Sequence, residues 1–432
     1  MIVCKFGGSS VADANQIKKV KAILESNDKR SIVVVSAPGK RCREDEKITD
    51  LLYQCNKDVN KGLSCRETFK KVAARYLEIA DALKIKSKDI TAKLDEVRRY
   101  IDAGRGADYA ASRGEYLSAY LISLYLGWEF VDAADYIVIN SDNTVNARTY
   151  DNLASFFQEG KKYVVPGFYG ESEYGGVKTF TRGGSDITGS IIARAADAEL
   201  YENWTDVAGV FAANPMLIPD AKPIARLSYK EVRELSEVGA SVFHEEAIAP
   251  VVEKGIPINI KNTNKPEEPG TMIYPEVEGC GIVGVSSKSG LSRIHVRKLM
   301  LFKKSGMRHA LLTMIQIFGI RPCYSLFGID SITWYFDSKM ASDAVCQSMC
   351  ERLKKEFELD SISVERGFAV LGLIGPNVDK STEYIDALIA LKEASVSVAS
   401  VNYGASDTAC LIGISEESKD EAVKAVYDKL FR

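Results

Sequence analysis

The first 270 residues alternate short β-branched runs with longer helical patterns. The runs SIVVVSA, KKYVVPGF, ELYENWTDV and IPINIKN predict buried strands at 31–37, 161–168, 199–207 and 256–262. Helical patterns lie between them at 67–83, 114–126 and 228–237. Strands that alternate with helices predict an α/β fold, an αβα sandwich around a mostly parallel sheet.

The remaining residues predict a different architecture. A helix–strand–strand–helix pattern over 306–357 returns over 381–431, and strands at 361–366 and 368–374 are predicted between the two copies. Such a repeat predicts two small ferredoxin-like α+β modules. A chain of 432 residues is also longer than one core normally supports. We therefore expect three domains, at residues 1–275, 281–358 and 359–432.

Composition argues against several classes of protein. The net charge of −3, without a basic block, gives no reason to expect a nucleic-acid partner. No apolar run approaches the roughly 20 residues of a membrane helix, and Lys5 interrupts the apolar start, so no signal peptide is predicted. The nine scattered cysteines contain no CxxC pair, and with three histidines no metal-binding spacing arises. We expect a cytoplasmic protein without a membrane segment.

The opening stretch IVCKFGGSSV ends a predicted strand in a lysine and a glycine-serine turn. Lys5 presents an ammonium, and the glycines present backbone N–H groups, which together suit a phosphate. A surface lysine before a plain turn explains Lys-x-Gly-Gly equally well. The chain lacks both GxxxxGK[ST] and the protein-kinase motif set.

The stretch TFTRGGSD, residues 179–186, ends a second strand in a second glycine-serine turn and leads into a helix. Ser185 and Asp186 can cap that helix, which is the plain structural interpretation. Arg182 beside two glycines, however, is a natural fork for a carboxylate or a phosphate. Two such turns, one with lysine and one with arginine and aspartate, suit a nucleoside triphosphate and an acidic acceptor.

With these two motifs the chain resembles the amino acid kinase family, and within it the aspartokinases. KFGGSS and TFTRGGSD match the two glycine motifs of that family. Further matching stretches follow in family order: GEYLSAYLISLYL (114–126), VPGFYG (165–170), NWTDVAGVF (203–211), GASVFHEEAI (239–248) and IPINIKNTNKPEEPGT (256–271). The C-terminal repeat resembles the paired ACT domains of aspartokinases, so the resemblance covers essentially the whole chain.

The resemblance implies roles for individual residues. Lys5 and Asp186 are the expected catalytic pair, with Lys5 on the transferring phosphoryl group. The expected substrate-binding residues are Ser36, Ala37, Thr49, Glu115, Arg182 and Ser185, with Glu115 on the substrate ammonium and Arg182 on its α-carboxylate. The expected ATP-binding residues are Gly7, Gly8, Ser9, Thr205, Asp206 and Phe211. Mg²⁺ is expected to be held mainly by the ATP phosphates.

The implied reaction moves the γ-phosphoryl group of ATP to the β-carboxylate of L-aspartate, giving 4-phospho-L-aspartate for lysine, threonine and methionine biosynthesis. This carboxylate is already ionised at pH 7, so no general base is needed. Catalysis would depend on alignment and on charge neutralisation by Lys5, backbone N–H groups and Mg²⁺. The ACT pair implies a homodimer and an amino acid effector, lysine first and threonine second, near Ser305, Gly306 and Asp330.

The sequence departs from the family pattern on the nucleotide side. Asn214 and Met216 stand where the family usually has aspartate and arginine, and Ser241 stands where some members have lysine. Two alternatives therefore stay open: a kinase with another acceptor, and a weakly active amino acid-sensing partner. Locally, Glu115 has the alternative of a first-turn helix residue, and Thr49 that of a helix N-cap.

Overall fold

A computed structural model describes residues 1–181, 183–240, 243 and 245–432 of the chain. Contacts between residues divide the chain into two compact units. The first unit contains residues 1–210, 223–232 and 241–277, and the second contains 211–222, 233–240 and 278–432. The predicted boundaries of three domains remain a prediction.

The first unit is built on an eight-stranded sheet of order β3-β5-β2-β1-β8-β10-β11-β9, in which only the β10–β11 pair is antiparallel. A separate three-stranded sheet has the order β4-β6-β7. The strands are β1 Ile2–Phe6, β2 Arg30–Val35, β3 Glu129–Phe130, β4 Val138–Ile139, β5 Tyr163–Pro166, β6 Tyr169–Ser172, β7 Val177–Thr179, β8 Leu200–Thr205, β9 Arg226–Ser228, β10 Ile258–Asn262 and β11 Thr271–Tyr274. The predicted, mostly parallel sheet is confirmed.

Helices cover both faces of the large sheet. The helices α1 Ala14–Glu25 and α5 Ala107–Leu126 pack on one face and α7 Gly184–Ala195 packs on the other. The other helices of residues 1–277 are α2 Ile48–Asn60, α3 Arg66–Ala82, α4 Ser87–Asp102, α6 Arg148–Phe156, α8 Tyr229–Glu237, whose residues 233–237 belong to the second unit, and α9 Ala249–Val252. Cys4, Phe6 and Trp204 join the core formed with α1 to α5. Because side chains alternate along a strand, Lys5 points to the other face, where α7 packs on β1 and β8. The predicted αβα sandwich is confirmed.

The carboxyl ends of the central parallel strands meet at one edge of this sheet. Strands β1, β2, β5, β8 and β10 end there, and the first glycine turn, Ser36 and Asp206 follow β1, β2 and β8 directly, whereas the second glycine motif follows β7 of the small sheet. In open α/β sheets, ligands bind at this edge because the loops and helix N-termini converge there. The fold therefore places the separated motifs next to one another.

The second unit contains a six-stranded antiparallel sheet of order β13-β14-β12-β15-β17-β16. Its strands are β12 Gly284–Arg297, β13 Tyr324–Phe327, β14 Ser331–Asp337, β15 Ser361–Ile374, β16 Val398–Asn402 and β17 Ala409–Ser415. Its helices are α10 Met307–Ile317, α11 Asp343–Glu356, α12 Glu383–Glu393 and α13 Lys419–Phe431. Helices and strands follow the predicted repeat, and the ferredoxin-like modules are confirmed.

One feature of this sheet differs from the prediction. The two short strands predicted at 361–366 and 368–374 form one strand, β15, which continues through Gly367. It pairs along its length with β12, an equally long strand that the sequence analysis missed. The C-terminal half of β12 pairs with β14, whereas the C-terminal half of β15 pairs with β17. Each module therefore uses a half of both long strands.

Among the helices described here, none is long and apolar enough to span a membrane.

Candidate active site

Lys5 and Asp186, the two predicted catalytic residues, lie in direct contact. The Nζ atom of Lys5 is 2.6 Å from Oδ1 of Asp186. Asn203 connects them, since its Oδ1 accepts a hydrogen bond from Lys5 Nζ (3.4 Å) and its Nδ2 donates to Asp186 Oδ1 (2.9 Å). Lys5 is only 8% exposed. The ammonium is thus held in a fixed position by one carboxylate and one amide.

The parallel register of the sheet explains how these residues meet. Lys5 on β1 is the register partner of Asn203 on β8, which places both side chains on the face covered by α7. Asp186 lies in the first turn of α7, which begins at Gly184 after the left-handed residue Gly183. The first N–H groups of a helix have no intrahelical partner and favour an anion. Lysine and helix terminus can therefore act on the same negative charge.

The glycine turn after β1 continues as a short 3-10 helix, Gly8–Val11. The N–H of Gly7 donates to the carbonyl oxygen of Trp204 (3.0 Å), so it is engaged within the sheet. The first residues of such a helix, Gly8 and Ser9, have no carbonyl within the helix to bond. These are the N–H groups that a phosphate at this turn would meet.

A second glycine, which the sequence analysis missed, packs against this turn. The N–H of Gly39 donates to the carbonyl oxygen of Gly8 (2.8 Å). A Cβ atom at position 39 would lie 2.7 Å from the carbonyl carbon of Gly8, closer than any side chain tolerates. The loop after β2, which carries Ser36 and Ala37, is therefore in backbone contact with the glycine turn.

Glu115 provides the carboxylate on the acceptor side. It is buried in α5, and its Oε2 atom has no hydrogen-bond partner. Burial raises the pKa of Glu115 to about 8, although the backbone N–H groups of Ala37 and Glu115 act in the opposite direction. Because α5 begins at Ala107, Glu115 lies in mid-helix, and the first-turn interpretation is wrong. A buried carboxylate with a free oxygen suits a cationic ligand.

The position of Glu115 depends on close packing around Gly114. A Cβ atom at position 114 would lie 2.8 Å from the Cβ atom of Ala37, so only glycine allows α5 to approach the loop after β2. The hydroxyl of Tyr76 on α3 donates to the carbonyl oxygen of Gly114 (2.6 Å). Glu115 and Ala37 are thereby brought to the same edge of the sheet as the glycine turn.

Two further acceptor-side residues have defined places. Thr49 is the second residue of α2, whose N-cap is Lys47, so the N-cap interpretation of Thr49 is wrong. Ser185 is buried in the first turn of α7. Arg182 and Ser241 lie outside the residues that the structure describes.

The predicted nucleotide residues follow β8. Thr205 ends this strand and donates from Oγ1 to Oδ1 of the exposed Asp206 (3.2 Å). The carbonyl oxygen of Thr205 accepts a hydrogen bond from the N–H of Thr263 (2.8 Å), and the hydroxyls of Thr263 and Ser10 are hydrogen-bonded at 2.7 Å. The ends of β8 and β10 are thus joined to the glycine turn. Phe211 belongs to the second unit.

Phe168, in the VPGFYG motif, has a backbone conformation that a bulky residue seldom adopts, with φ of +82°. Its N–H donates to Oγ1 of Thr188 (3.1 Å), which itself donates to the carbonyl oxygen of Gly184 (2.9 Å). Its carbonyl oxygen accepts from the N–H of Phe180 (2.9 Å). The strained turn therefore ties the start of α7 to the strand that leads into the second glycine motif. The sequence alone indicates no role for Phe168.

The donor set agrees with ATP-bound Mg²⁺. Asp186 supplies one carboxylate beside Lys5, and Mg²⁺ commonly takes one or two carboxylates and completes its octahedron with phosphates and water. In the described part of the chain, no cluster of three or more His, Cys, Asp or Glu residues could hold a metal by itself.

A cavity of about 640 Å³ lies in the first unit, lined among others by Tyr150, Phe180, Thr181, Arg194 and Glu253. None of its described lining residues is a predicted site residue. The guanidinium of Arg194 is already stacked on Tyr150 and paired with Glu253. Charge and unsatisfied polar groups, rather than volume, therefore locate the candidate site at the strand ends.

In the second unit, the predicted effector residues lie around the start of α10 and the turn between β13 and β14. Gly306, with φ of +76°, precedes α10, and Ser305 is exposed. The Oδ1 atom of Asp330 accepts a hydrogen bond from the N–H of Met300 (2.8 Å). This carboxylate therefore already joins the turn between β13 and β14 to the segment that follows β12.

Comparisons with known proteins agree with this geometry. The sequence profile of the amino acid kinase family matches residues 1–262. Aspartokinase 3 of Bacillus subtilis is 34% identical over 451 residues, which cover 100% of this chain and 99% of that protein. The crystal structure of Clostridium acetobutylicum aspartate kinase, which is 40% identical, superposes with a TM-score of 0.92 over the full length of both chains.

Two complexes of Escherichia coli aspartokinase III share the fold at 22% identity. The R-state complex with aspartate and ADP has a TM-score of 0.80, and the T-state complex with lysine and aspartate has a TM-score of 0.76; all of both chains is covered in each case.

The chain belongs to the amino acid kinase family, and within that family to the aspartokinases. It is accordingly an ATP-dependent kinase with C-terminal ACT modules.

Proposed function

We propose that the protein transfers the γ-phosphoryl group of ATP to the β-carboxylate of L-aspartate, with 4-phospho-L-aspartate and ADP as products. The observation that carries the proposal is Glu115, a buried carboxylate with a free oxygen at the strand edge where Lys5 and the glycine turn lie. An acceptor with an ammonium group completes this site, whereas an acceptor with an acetylated nitrogen leaves Glu115 unpaired.

The remaining steps follow from charge. The acceptor carboxylate is ionised at neutral pH and attacks the γ-phosphorus without losing a proton. Lys5, the N–H groups of Gly8 and Ser9, and the N-terminus of α7 stabilise negative charge on the transferring group and the leaving phosphates. Arg182 is proposed to bind the α-carboxylate of aspartate. Mg²⁺, bound mainly to ATP, neutralises phosphate charge, and Asp186 is the protein carboxylate proposed to face it.

Hydroxylamine trapping tests this function directly. Purified protein, MgATP, L-aspartate and hydroxylamine should produce aspartyl hydroxamate, because an acyl phosphate reacts rapidly with hydroxylamine. L-Glutamate and N-acetyl-L-aspartate serve as matched acceptors, and neither should replace aspartate. Absence of hydroxamate with folded protein and saturating ATP would overturn the proposal and favour the amino acid-sensing alternative.

We further propose regulation by an end-product amino acid of the lysine, threonine and methionine pathway. Support comes from the ACT modules and from the Escherichia coli relative, which is lysine-sensitive and was crystallised with lysine. Lysine is the first candidate effector, threonine the second, and the ACT modules of two copies are proposed to pair in a homodimer.

The trapping assay repeated with each amino acid tests this regulation. Lysine alone, threonine alone and the two together should be compared at an aspartate concentration near KM. We expect lysine alone to inhibit the reaction and threonine alone to leave its rate unchanged. If the rate in each of the three conditions equals the rate without added lysine or threonine, feedback control is contradicted while the kinase activity remains.

A further inference from the structure

Arg75 is a buried cation on α3, outside the motifs that carry the chemistry. Only 5% of its side chain is exposed. Its Nη1 atom donates to the carbonyl oxygens of Gly39 (3.2 Å) and Ala12 (3.4 Å), which lie 36 and 63 residues away in sequence. A buried guanidinium on two carbonyl oxygens of distant loops fixes those loops relative to each other.

The two carbonyl groups flank the glycine turn. Ala12 is the C-cap of the 3-10 helix Gly8–Val11, so it marks the far end of the turn. Gly39 donates from its N–H to Gly8 and is in backbone contact with it, so it covers the near end. One side chain therefore holds the turn indirectly at both of its ends, through hydrogen bonds to Gly39 and Ala12.

The charge of Arg75 is balanced on its other side. The Nη2 atom of Arg75 pairs with Oδ2 of Asp45. Asp45 also accepts from the side chain and the backbone N–H of Arg41, and these bonds, with the contribution of Arg75, hold the pKa of Asp45 below its usual value. Asp45 stays ionised over the physiological range, so the guanidinium has a fixed third contact.

The neighbouring residue on α3 provides a matched control. The hydroxyl of Tyr76 donates to the carbonyl oxygen of Gly114, next to Glu115. Arg75 thus contacts the phosphate side of the site, whereas Tyr76 contacts the acceptor side. Both are buried, and both act through a backbone carbonyl.

We infer that Arg75 is a positioning residue for the phosphate-binding turn. Its two hydrogen bonds keep Gly39 against Gly8 and keep the end of the turn in place, so that the N–H groups of Gly8 and Ser9 face the phosphates of ATP. This inference rests on the proposed binding of ATP at the turn. Tyr76 acts in the same way on Glu115.

The test compares Arg75→Met, Arg75→Lys and Tyr76→Phe in the full-length protein. A loss of alignment at reacting groups costs on the order of 10- to 100-fold in rate. Arg75→Met should lower kcat/KM for MgATP by about that factor and weaken MgADP binding measured by calorimetry, while KM for aspartate changes less than twofold. Arg75→Lys, with one ammonium for three contacts, should recover part of the loss. Tyr76→Phe should instead raise KM for aspartate and leave MgADP affinity unchanged.

Thermal unfolding separates positioning from stability. A lower Tm in Arg75→Met with unchanged MgADP affinity at 25 °C would overturn the inference, as would equal changes in both KM values. Should Arg75→Met fail to fold, Arg75→Lys and Asp45→Asn carry the same comparison, with the smaller effect expected for Asp45→Asn. Absence of activity in the unmodified protein would contradict the proposed function instead, so the two failures are distinguishable.

Discussion

The two ends of the candidate site differ in how their charges are satisfied. At the phosphate end, the Lys5 ammonium lies 2.6 Å from Asp186 and also bonds Asn203. At the acceptor end, Glu115 is more deeply buried than Asp186, yet one of its oxygens has no partner. At the phosphate end, the charged groups already have partners before a ligand binds. At the acceptor end, one carboxylate oxygen has no partner until the ligand supplies one.

The difference indicates how each end discriminates between ligands. A phosphate that approaches Lys5 must share it with Asp186, so the lysine stays in position whether or not nucleotide is bound. An ammonium that approaches Glu115 can pair with Oε2, which has no hydrogen-bond partner in the described protein. The position of Lys5 is therefore fixed before the transferring phosphoryl group binds, whereas the unpaired oxygen of Glu115 contributes its interaction only when the acceptor binds.

The largest effect is expected from Lys5→Met, which removes the cation of the phosphate end. Loss of one preorganised group that stabilises transition-state charge costs roughly 10²- to 10³-fold in kcat. The hydroxamate assay should show a loss at the upper end of that range, because a full charge is removed. Lys47→Met, at an exposed N-cap, is the control and should keep the original rate. A rate near that of the unmodified protein would exclude Lys5 from the chemistry.

Glu115→Gln should have the next largest effect, and it should be confined to the acceptor. Removal of one partner of a buried charge pair costs about 2–5 kcal/mol, and the midpoint of that range corresponds to a loss of roughly 300-fold in kcat/KM for aspartate. KM for MgATP should stay constant. Glu96→Gln, on the adjacent helix α4, is the matched control. Equal losses for both substrates would mean that Glu115 supports the fold rather than the acceptor.

Asn203→Ala tests whether the Lys5–Asp186 pair needs the side-chain amide of Asn203 for catalysis. It removes the amide that bonds both Lys5 and Asp186, while the lysine and the aspartate keep each other. A hydrogen bond to a charged group contributes about 1.5–3 kcal/mol, so kcat in the same assay should fall by about 10- to 150-fold. Asn262→Ala is the control, since Asn262 bonds Asn264 at the end of β10. An unchanged kcat would mean that the Lys5–Asp186 pair needs no third member.

The smallest effect concerns pH. Because the pKa of free Glu115 is about 8, the protein must release a proton before the ammonium can bind as a partner. Acceptor kcat/KM should therefore rise with pH, about fivefold between pH 7 and 8, and flatten above pH 8. Glu115→Gln should lack this rise. A flat profile in the unmodified protein would show that Glu115 is already ionised without ligand.

The same pKa has a consequence for stability whose sign is defined. Unfolded Glu115 titrates near 4.5 and folded Glu115 near 8, so the folded chain binds more protons between these values. Stability from this group is fully present below about pH 4.5 and is lost progressively as pH rises through 8. Saturating aspartate should reduce that loss, because the ligand favours the ionised carboxylate.

Motifs whose spacing is local could be predicted from the sequence. Lys5 directly precedes its glycine turn and Asp186 directly follows another, so each was recognisable without knowledge of the fold. Asn203 was not assigned, because its role depends on the register of β1 with β8 across 198 residues. Gly39 and Arg75 were missed for a similar reason, since their contacts with Gly8 and Ala12 join segments that are distant in sequence.

The alternation of strands with helices and the C-terminal helix–strand–strand–helix repeat predicted both sheets but not the length of their strands. A glycine inside a strand weakens it and often marks a bulge or a bend, and the prediction divided β15 into two strands at Gly367. In the structure the strand continues through a left-handed Gly367, next to irregular pairing with β12 between Lys288 and Arg293. A local pattern cannot show that a partner strand supports such a kink.

The two shared strands also limit how this protein can be shortened. Cutting the chain after residue 358 would remove β15, so the N-terminal half of β12 would have no strand partner and its C-terminal half would keep only β14. An exposed, unpaired strand edge is an open template for aggregation. We therefore expect the two ACT modules to fold as one unit, and an exchange of a single module must include both long strands.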